Sequence, residues 1–400
     1  MAKDNFFTGQ PVFGQLLQLI PRHLIKEVSK HHGADKYYKR FKTYEHLVTM
    51  LYTCFHSCRS LREVVTGMMA CSSRVNHLGI NYIPRRSTLA EANANRPEKL
   101  FEDLYHRLYG HFYPDSRLLT KLEKRLFIFD STTISLFSDV MKGSGTFKNF
   151  IGKRKGGVKA HVLIKADEDV PRFVCLTSAN ENDNIFTPLV HLPKGSIVTF
   201  DRIYYGFKPL INWSQTGVTW VTRMHSIISY KVIRAREVRA DQKQNGIISD
   251  EYIQAGRQKL KEKMLARRIV YLDPISGKRL IFLTNNMRMN ATTIANIYKK
   301  RWQIECLFKR LKQNYPLKYF LGESENAIKI QIWCALITDL LIKIVKDKVK
   351  RKWSFSNIAA MIRLHLMTYI NLIKFLQNPE KMLANYSDPN NHIQQSLFPT

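Results

Sequence analysis

Four hundred residues exceed what one small core accommodates, so the chain should fold as two or three domains. A hydrophobic share of 44% with 11% aromatics excludes a disordered basic tail. Lys and Arg number 63 against 32 Asp and Glu, a formal net charge of +31 that exceeds the needs of solubility and implies a polyanionic partner, nucleic acid ahead of an anionic membrane surface.

The opening MAKDNFFTGQPVFGQLLQLIPRHLIK lacks the uninterrupted apolar core of a signal peptide. Ile330–Val345 is the most apolar stretch, but Gln331, Asp339 and Lys343 interrupt it, which suits a buried helix and not a membrane span. The six cysteines are scattered and read as reduced thiols, and Cys54 and Cys58 have no second Cys/His pair at zinc spacing. The expected location is cytoplasmic, nucleoid-associated when DNA is bound.

In chain order, Val12–Ile25, Thr43–Cys58 and Ser60–Ala70 read as helices. Ser87 is placed to cap a short helix running to Asn95. Basic residues among these helices suit either a helix-turn-helix DNA-binding domain or a plain helical scaffold with a basic surface. Pro97–Leu119 is helical, with an aromatic stripe. Leu126–Phe129 is a buried strand ending in Asp130, Lys142–Gly157 a Gly- and Lys-rich loop, and Gly157–Ala166 with Pro171–Ser178 a hairpin. A short helix at Ile185–Leu192 precedes a second buried strand, Ser196–Phe200, ending in Asp201. Tyr205–Gln215 reads as helix and Val218–Arg223 as strand. Residues 225–290 look like an insertion with strands at Arg268–Leu272 and Leu280–Thr284. Ile294–Asn314, without Pro or Gly, reads as one amphipathic helix on which Tyr298, Arg301, Glu305 and Lys312 share an arc of roughly 60°. Ala327–Val349 and Asn357–Phe375 are apolar helices, and a polar tail follows from Gln377.

A carboxylate at the end of a buried strand costs desolvation unless it is paired or binds a cation. Capping a following turn is the ordinary account of either Asp taken singly, and an exposed face with ion pairs that of Glu305. If the two strands are neighbours and parallel, both carboxylates fall at the C-terminal edge of one sheet. With Glu305 on a packed helix they form a hard-oxygen set suited to two Mg²⁺ or Mn²⁺ ions and phosphodiester chemistry.

Tyr298, Arg301, Glu305 and Lys312, at that spacing, resemble the Tyr-Arg-Glu-Lys signature of the insertion-sequence-four transposases. Phe129-Asp130-Ser131-Thr132 and Phe200-Asp201-Arg202-Ile203-Tyr204 resemble the two aspartate motifs of the same family. Asp130 and Asp201 lie 71 residues apart and Asp201 and Glu305 104 apart, leaving room for the family's β-rich insertion. The resemblance implies an α/β fold, an RNase H-like mixed sheet flanked by helices, with a β-rich insertion and an all-helical N-terminal domain. The domains would be 1–119 (DNA binding), 120–224 with 291–325 (catalytic core), 225–290 (insertion), 326–376 (C-terminal helices) and 377–400 (tail).

The resemblance further implies that Asp130, Asp201 and Glu305 are catalytic and hold Mg²⁺ or Mn²⁺, two ions per site, and that Tyr298, Arg301 and Lys312 contact DNA phosphates. Arg202 and Arg223 are candidate backbone contacts, with solvated or structural roles as the alternative. Trp302 and Trp220 could stack on a flipped base, although core packing is the preferred account for both. Lys159 and His161 could face the site, His161 more in keeping with a core or edge position. Where relatives often carry His-Asp this chain has Asn182-Asp183, which leaves a supporting role for Asp183 open. The implied activity is hydrolysis at terminal inverted repeats of double-stranded DNA, then strand transfer through a hairpin, by a homodimer whose interface could be the apolar C-terminal helices. A stand-alone nuclease of this fold and a non-catalytic DNA-binding descendant of a transposase are the alternatives.

Overall fold

The computed structural model of the protein describes residues 9–114, 125–135, 146–148, 154–256 and 263–381. They fall into two compact units, one drawn from both ends of the chain (to Pro114 and from Leu311) and one from the middle, Asp115–Arg310. The polar tail expected beyond Gln377 lies almost wholly outside the described residues, as does much of the Lys142–Gly157 loop.

The first unit is helical. Helix Glu325–Lys348 is buried on nearly every face from Ala327 to Val345 and packs on helices Thr43–His56 and Glu98–Phe112 of the same unit. A helix apolar all round belongs inside a core, so this one has no free face to offer a second subunit. Three helical expectations change. Pro21 lacks the N–H that would continue Val12–Ile25, which divides into Val12–Leu17 and Arg22–His31. Asn357–Phe375 divides into Phe355–His365 and Leu372–Gln377. Ser87 does not cap: the helix opens at Arg86, with Arg85 at the cap position and no side-chain cap. By contrast Ser60 does cap its helix, accepting from Glu63 N–H.

The middle unit is built on one mixed sheet. Its strands are β1 (Leu126–Ser135), β2 (Thr146–Lys148), β3 (Arg154–Lys165), β4 (Pro171–Ser178), β5 (Ile197–Phe200), β6 (Thr219–Arg223), β7 (Ser229–Arg236), β8 (Ile247–Gly256), β9 (Lys263–Leu272) and β10 (Arg279–Thr284). The order is β2-β3-β1-β5-β6-β10-β9-β8-β7, with β4 on β3. Within it β3 is the antiparallel neighbour of both β1 and β4, and β5 and β6 run parallel to β1. That is the RNase H-like arrangement. Instead of the short helix expected at Ile185–Leu192 there are two 3₁₀ turns, Asp183–Ile185 and Thr187–Leu189. β2 and the start of β3 fall within the stretch read as loop.

The insertion is β-rich as expected, but it continues the core sheet, since β10 adds antiparallel to β6 through Arg223↔Phe282. Asp250 on β8 and Arg267 on β9 form a two-pronged ion pair at 2.7 and 2.6 Å, and both are almost fully buried. Arg267 also donates to the carbonyls of Asn286 and Met289, fixing the loop that leads into helix Ala291–Lys299. Asp250→Ala would strand a buried guanidinium. A loss of about 3–5 kcal/mol in urea unfolding is expected, and a loss under 1 kcal/mol would show that the pair carries no such weight.

Candidate active site

Phe129 on β1 pairs with Phe200 on β5, and Phe200 with Thr222 on β6. One residue further along these parallel strands stand Asp130, Asp201 and Arg223. Paired residues of in-register parallel strands point to one face, and successive residues to opposite faces. Phe129 and Phe200 stack at 4.8 Å within the core that includes Trp213 and Trp220. The row Asp130–Asp201–Arg223 therefore belongs to the other face, at the C-terminal edge of the parallel strands.

Glu305 is brought to Asp130 by Arg301, whose two terminal nitrogens donate to Asp130 Oδ2 at 2.8 Å and Glu305 Oε1 at 2.5 Å. Burial works against that guanidinium's charge, but Tyr298 and the two carboxylates more than offset it, and its pKa rises. The expected single helix is interrupted here. Helix Ala291–Lys299 ends, Arg301, Gln303 and Ile304 donate three residues back, and helix Trp302–Asn314 begins. The shared arc of an unbroken helix is thus lost. Tyr298 packs against Phe282, with Arg301 lying 5.8 Å from its ring centre. Burial raises the Tyr298 pKa, favouring the neutral phenol. Among the described residues, the donor atoms of Asp130, Asp201 and Glu305 do not all come within 4.8 Å of one another.

Burial pushes the Asp130 carboxyl up to about 6; the Asp201 and Glu305 charges add to this, while Ser131 N–H and Arg301 oppose it. Since the ordinary value is 3.8, the folded chain holds a proton that the unfolded chain releases. Its contribution to stability is complete below about pH 4 and is lost as pH rises through about 6. In EDTA, Asp130→Asn should gain on wild type between pH 4 and pH 7, by up to about 3 kcal/mol. Melting curves of both proteins across that range check this, and a pH-independent difference contradicts it.

A second layer of side chains fixes the two aspartate segments. Ser131 N–H donates to Asp130 Oδ1 at 2.8 Å, and Ser131 Oγ donates to Asp183 Oδ1 at 2.7 Å. Asp183 also receives Tyr204 Oη at 3.4 Å and Lys159 Nζ at 3.4 Å. Asp183 thereby ties the residue after Asp130 to the 3₁₀ turn Arg202–Tyr204 that follows Asp201. His161 is buried beneath this network, facing Thr177 Oγ1 at 3.0 Å and stacked on Phe186, and burial brings its pKa down to about 4.

The remaining expected residues divide clearly. Trp220 is fully buried and donates to Leu210 O, which leaves it no surface for a base. Trp302 is 64% exposed beside Arg301, so core packing does not describe it. Arg202 is exposed in the turn after Asp201, and Lys312 is exposed two turns beyond Glu305 on the same helix. Sequence reading missed the Arg301 clamp, because an Arg four residues before a Glu is ordinary on helix surfaces.

Residues 121–340 match the family model described as a transposase DDE domain, and residues 8–81 match a domain of unknown function. A protein of Sinorhizobium fredii named as a transposase is 30% identical over 266 residues, covering 65% of this chain and 71% of that one. A Geobacillus stearothermophilus protein named as a transposase for the insertion sequence element IS5377 is 24% identical, covering 68% and 70%. A Synechocystis protein named for the element IS4SA is 25% identical, covering 65% and 71%. The piggyBac transposase in a synaptic complex with hairpin DNA overlaps 96% of this chain and 86% of its own at a TM-score of 0.45 and 10% identity, a likeness too loose to bear on mechanism.

Proposed function

This chain belongs to the DDE transposase family, and from that membership we propose how its site divides the work: Asp130, Asp201 and Glu305 hold the divalent ions, and the cations around them hold DNA. The family's activity is cleavage of DNA at the ends of an insertion sequence and strand transfer, and it uses divalent metal ions. The observation that carries the residue assignment is the register of β1 and β5, which sets Asp130 and Asp201 side by side.

The donor set fits such ions. Three carboxylates supply hard oxygen ligands, and Asp201 and Glu305 already push the Asp130 pKa upward, a strain that a cation relieves. Two Mg²⁺ or Mn²⁺ ions, when bound, supply Lewis acidity at the attacking and leaving oxygens of the phosphodiester. The chain's own residues do the rest. Asp183, through Ser131, holds Asp130 in place. Tyr298 braces Arg301, which forks onto a phosphate once it releases its carboxylates. Arg223, in the same row as Asp201, and the exposed Arg202 and Lys312 neutralise backbone phosphates. Trp302 offers its exposed ring to a base unstacked beside the cut.

The basic N-terminal helices bind the terminal repeats. Two chains act together, since joining two ends requires two sites. No described helix is long and apolar enough to cross a membrane, and the protein acts in the cytoplasm on nucleoid DNA. Labelled element-end DNA with Mg²⁺ tests this reading. Strand transfer is the expected product, whereas nicking alone would make the protein a nuclease and retention without cleavage a binder.

A further inference from the structure

In the helical unit, helix Arg22–His31 ends against helix Glu98–Phe112. His31 and His32 stand at the end of the first, and Asp103 and His106, one turn apart, on the second. All four line one open cavity of about 420 Å³. One donor atom from each of His31, His32 and Asp103 lies within 4.8 Å of the others, and among the described residues these make the one such group of three metal-ligating side chains.

The spacing within the group is informative. His32 Nε2, a buried nitrogen, faces Asp103 Oδ2 at 3.5 Å, an ion-pair distance at the outer limit of hydrogen bonding. A tetrahedral ion with bonds of about 2.0–2.1 Å to nitrogen and oxygen sets its ligands about 3.3–3.4 Å apart. The 3.5 Å of this His–carboxylate ion pair is also close to one edge of a coordination tetrahedron. The other carboxylate oxygen, Oδ1, accepts from Arg107 Nε at 2.9 Å, and Arg107 in turn reaches Glu27. That contact orients Asp103 and leaves Oδ2 for an ion, as outer partners of metal ligands do.

We propose that His31, His32 and Asp103 form a binding site for a borderline transition-metal ion of the Zn²⁺ class, separate from the carboxylates of the middle unit. Two imidazoles and a carboxylate suit Zn²⁺ and disfavour Mg²⁺, which prefers oxygen alone. An ion there clips the end of one helix to the middle of another, so its effect is on the stability of the helical unit and not on the chemistry at Asp130.

The test is titration of the full-length protein with Zn²⁺, and separately with Co²⁺, in excess Mg²⁺. One Zn²⁺ per chain should bind with Kd below about 1 μM, the melting temperature should rise, and Co²⁺ should give the intense visible spectrum of tetrahedral nitrogen and oxygen ligation. His32→Ala and Asp103→Asn should weaken Zn²⁺ binding at least about 100-fold, while Glu305→Gln leaves it unchanged. Asp103→Asn keeps the side chain's shape, so it reports on ligation even if His32→Ala misfolds. Absence of micromolar binding, a weak octahedral Co²⁺ spectrum, binding retained in Asp103→Asn, or binding lost in Glu305→Gln would each overturn the proposal.

Discussion

Asp201→Asn should abolish cleavage and strand transfer by at least about a thousandfold, while melting temperature and end-DNA affinity stay near wild type. Asp201 has two possible duties, and this substitution separates them. Its Oδ1 accepts from Ile203 N–H at 3.1 Å, capping the turn Arg202–Tyr204. Asn caps as well as Asp, so a residue that only caps would lose nothing. A carboxylate that holds a divalent ion against developing charge cannot be replaced by an amide, and the several kcal/mol that such an ion supplies correspond to three or more powers of ten in rate. Gel assays of end cleavage beside melting curves decide it, and retained activity in Asp201→Asn would return Asp201 to the role of a cap.

The second large effect concerns Arg301, which holds Asp130 and Glu305 in the DNA-free chain. A guanidinium bridging two carboxylates stands where an ion needs those same oxygens, so ion and arginine compete. Arg301→Ala should therefore tighten Mn²⁺ binding to the DNA-free protein about tenfold or more, because each charge-assisted bond to be displaced is worth about 1.5–3 kcal/mol. The same variant should cleave at least about 100-fold more slowly, having lost a charged donor at the reacting phosphate. End DNA should tighten Mn²⁺ binding in wild type and not in Arg301→Ala, since a phosphate that takes the arginine frees the carboxylates and the coupling is reciprocal. Arg301→Lys should fall between, keeping charge but losing the fork. Free Mn²⁺ measured by electron paramagnetic resonance reads all three proteins, and unchanged or weaker affinity in Arg301→Ala would remove the competition from the account.

The parts of this site legible in the sequence were those with local causes. Leu126–Phe129 and Ile197–Phe200 are apolar runs ended by an acid, and both are strands. Their parallel pairing stands in the sequence only as a condition for a shared edge, and the β1–β5 register meets it. What escaped was non-local or weakly encoded. Nothing in Ile-Tyr-Lys-Lys-Arg-Trp marks the break before Trp302, since neither Pro nor Gly is there and the interruption amounts to one turn of tighter hydrogen bonds. Joining β10 to β6 depends on pairs some sixty residues apart, such as Arg223↔Phe282, which no periodicity reveals. The division at Pro21, by contrast, was available from proline chemistry alone. Asp183 stands out in its polar turn with its role left open, and only the fold shows that it reaches Ser131 and Tyr204.

Anomalous diffraction from Mn²⁺ in crystals of the protein bound to a cleaved element end tests the arrangement most directly. The expected map places manganese against Asp130 and Asp201, with Glu305 as a further ligand and Arg301 turned onto a phosphate. Manganese bound elsewhere, with Arg301 still bridging Asp130 and Glu305 in a complex that transfers strands, would contradict it.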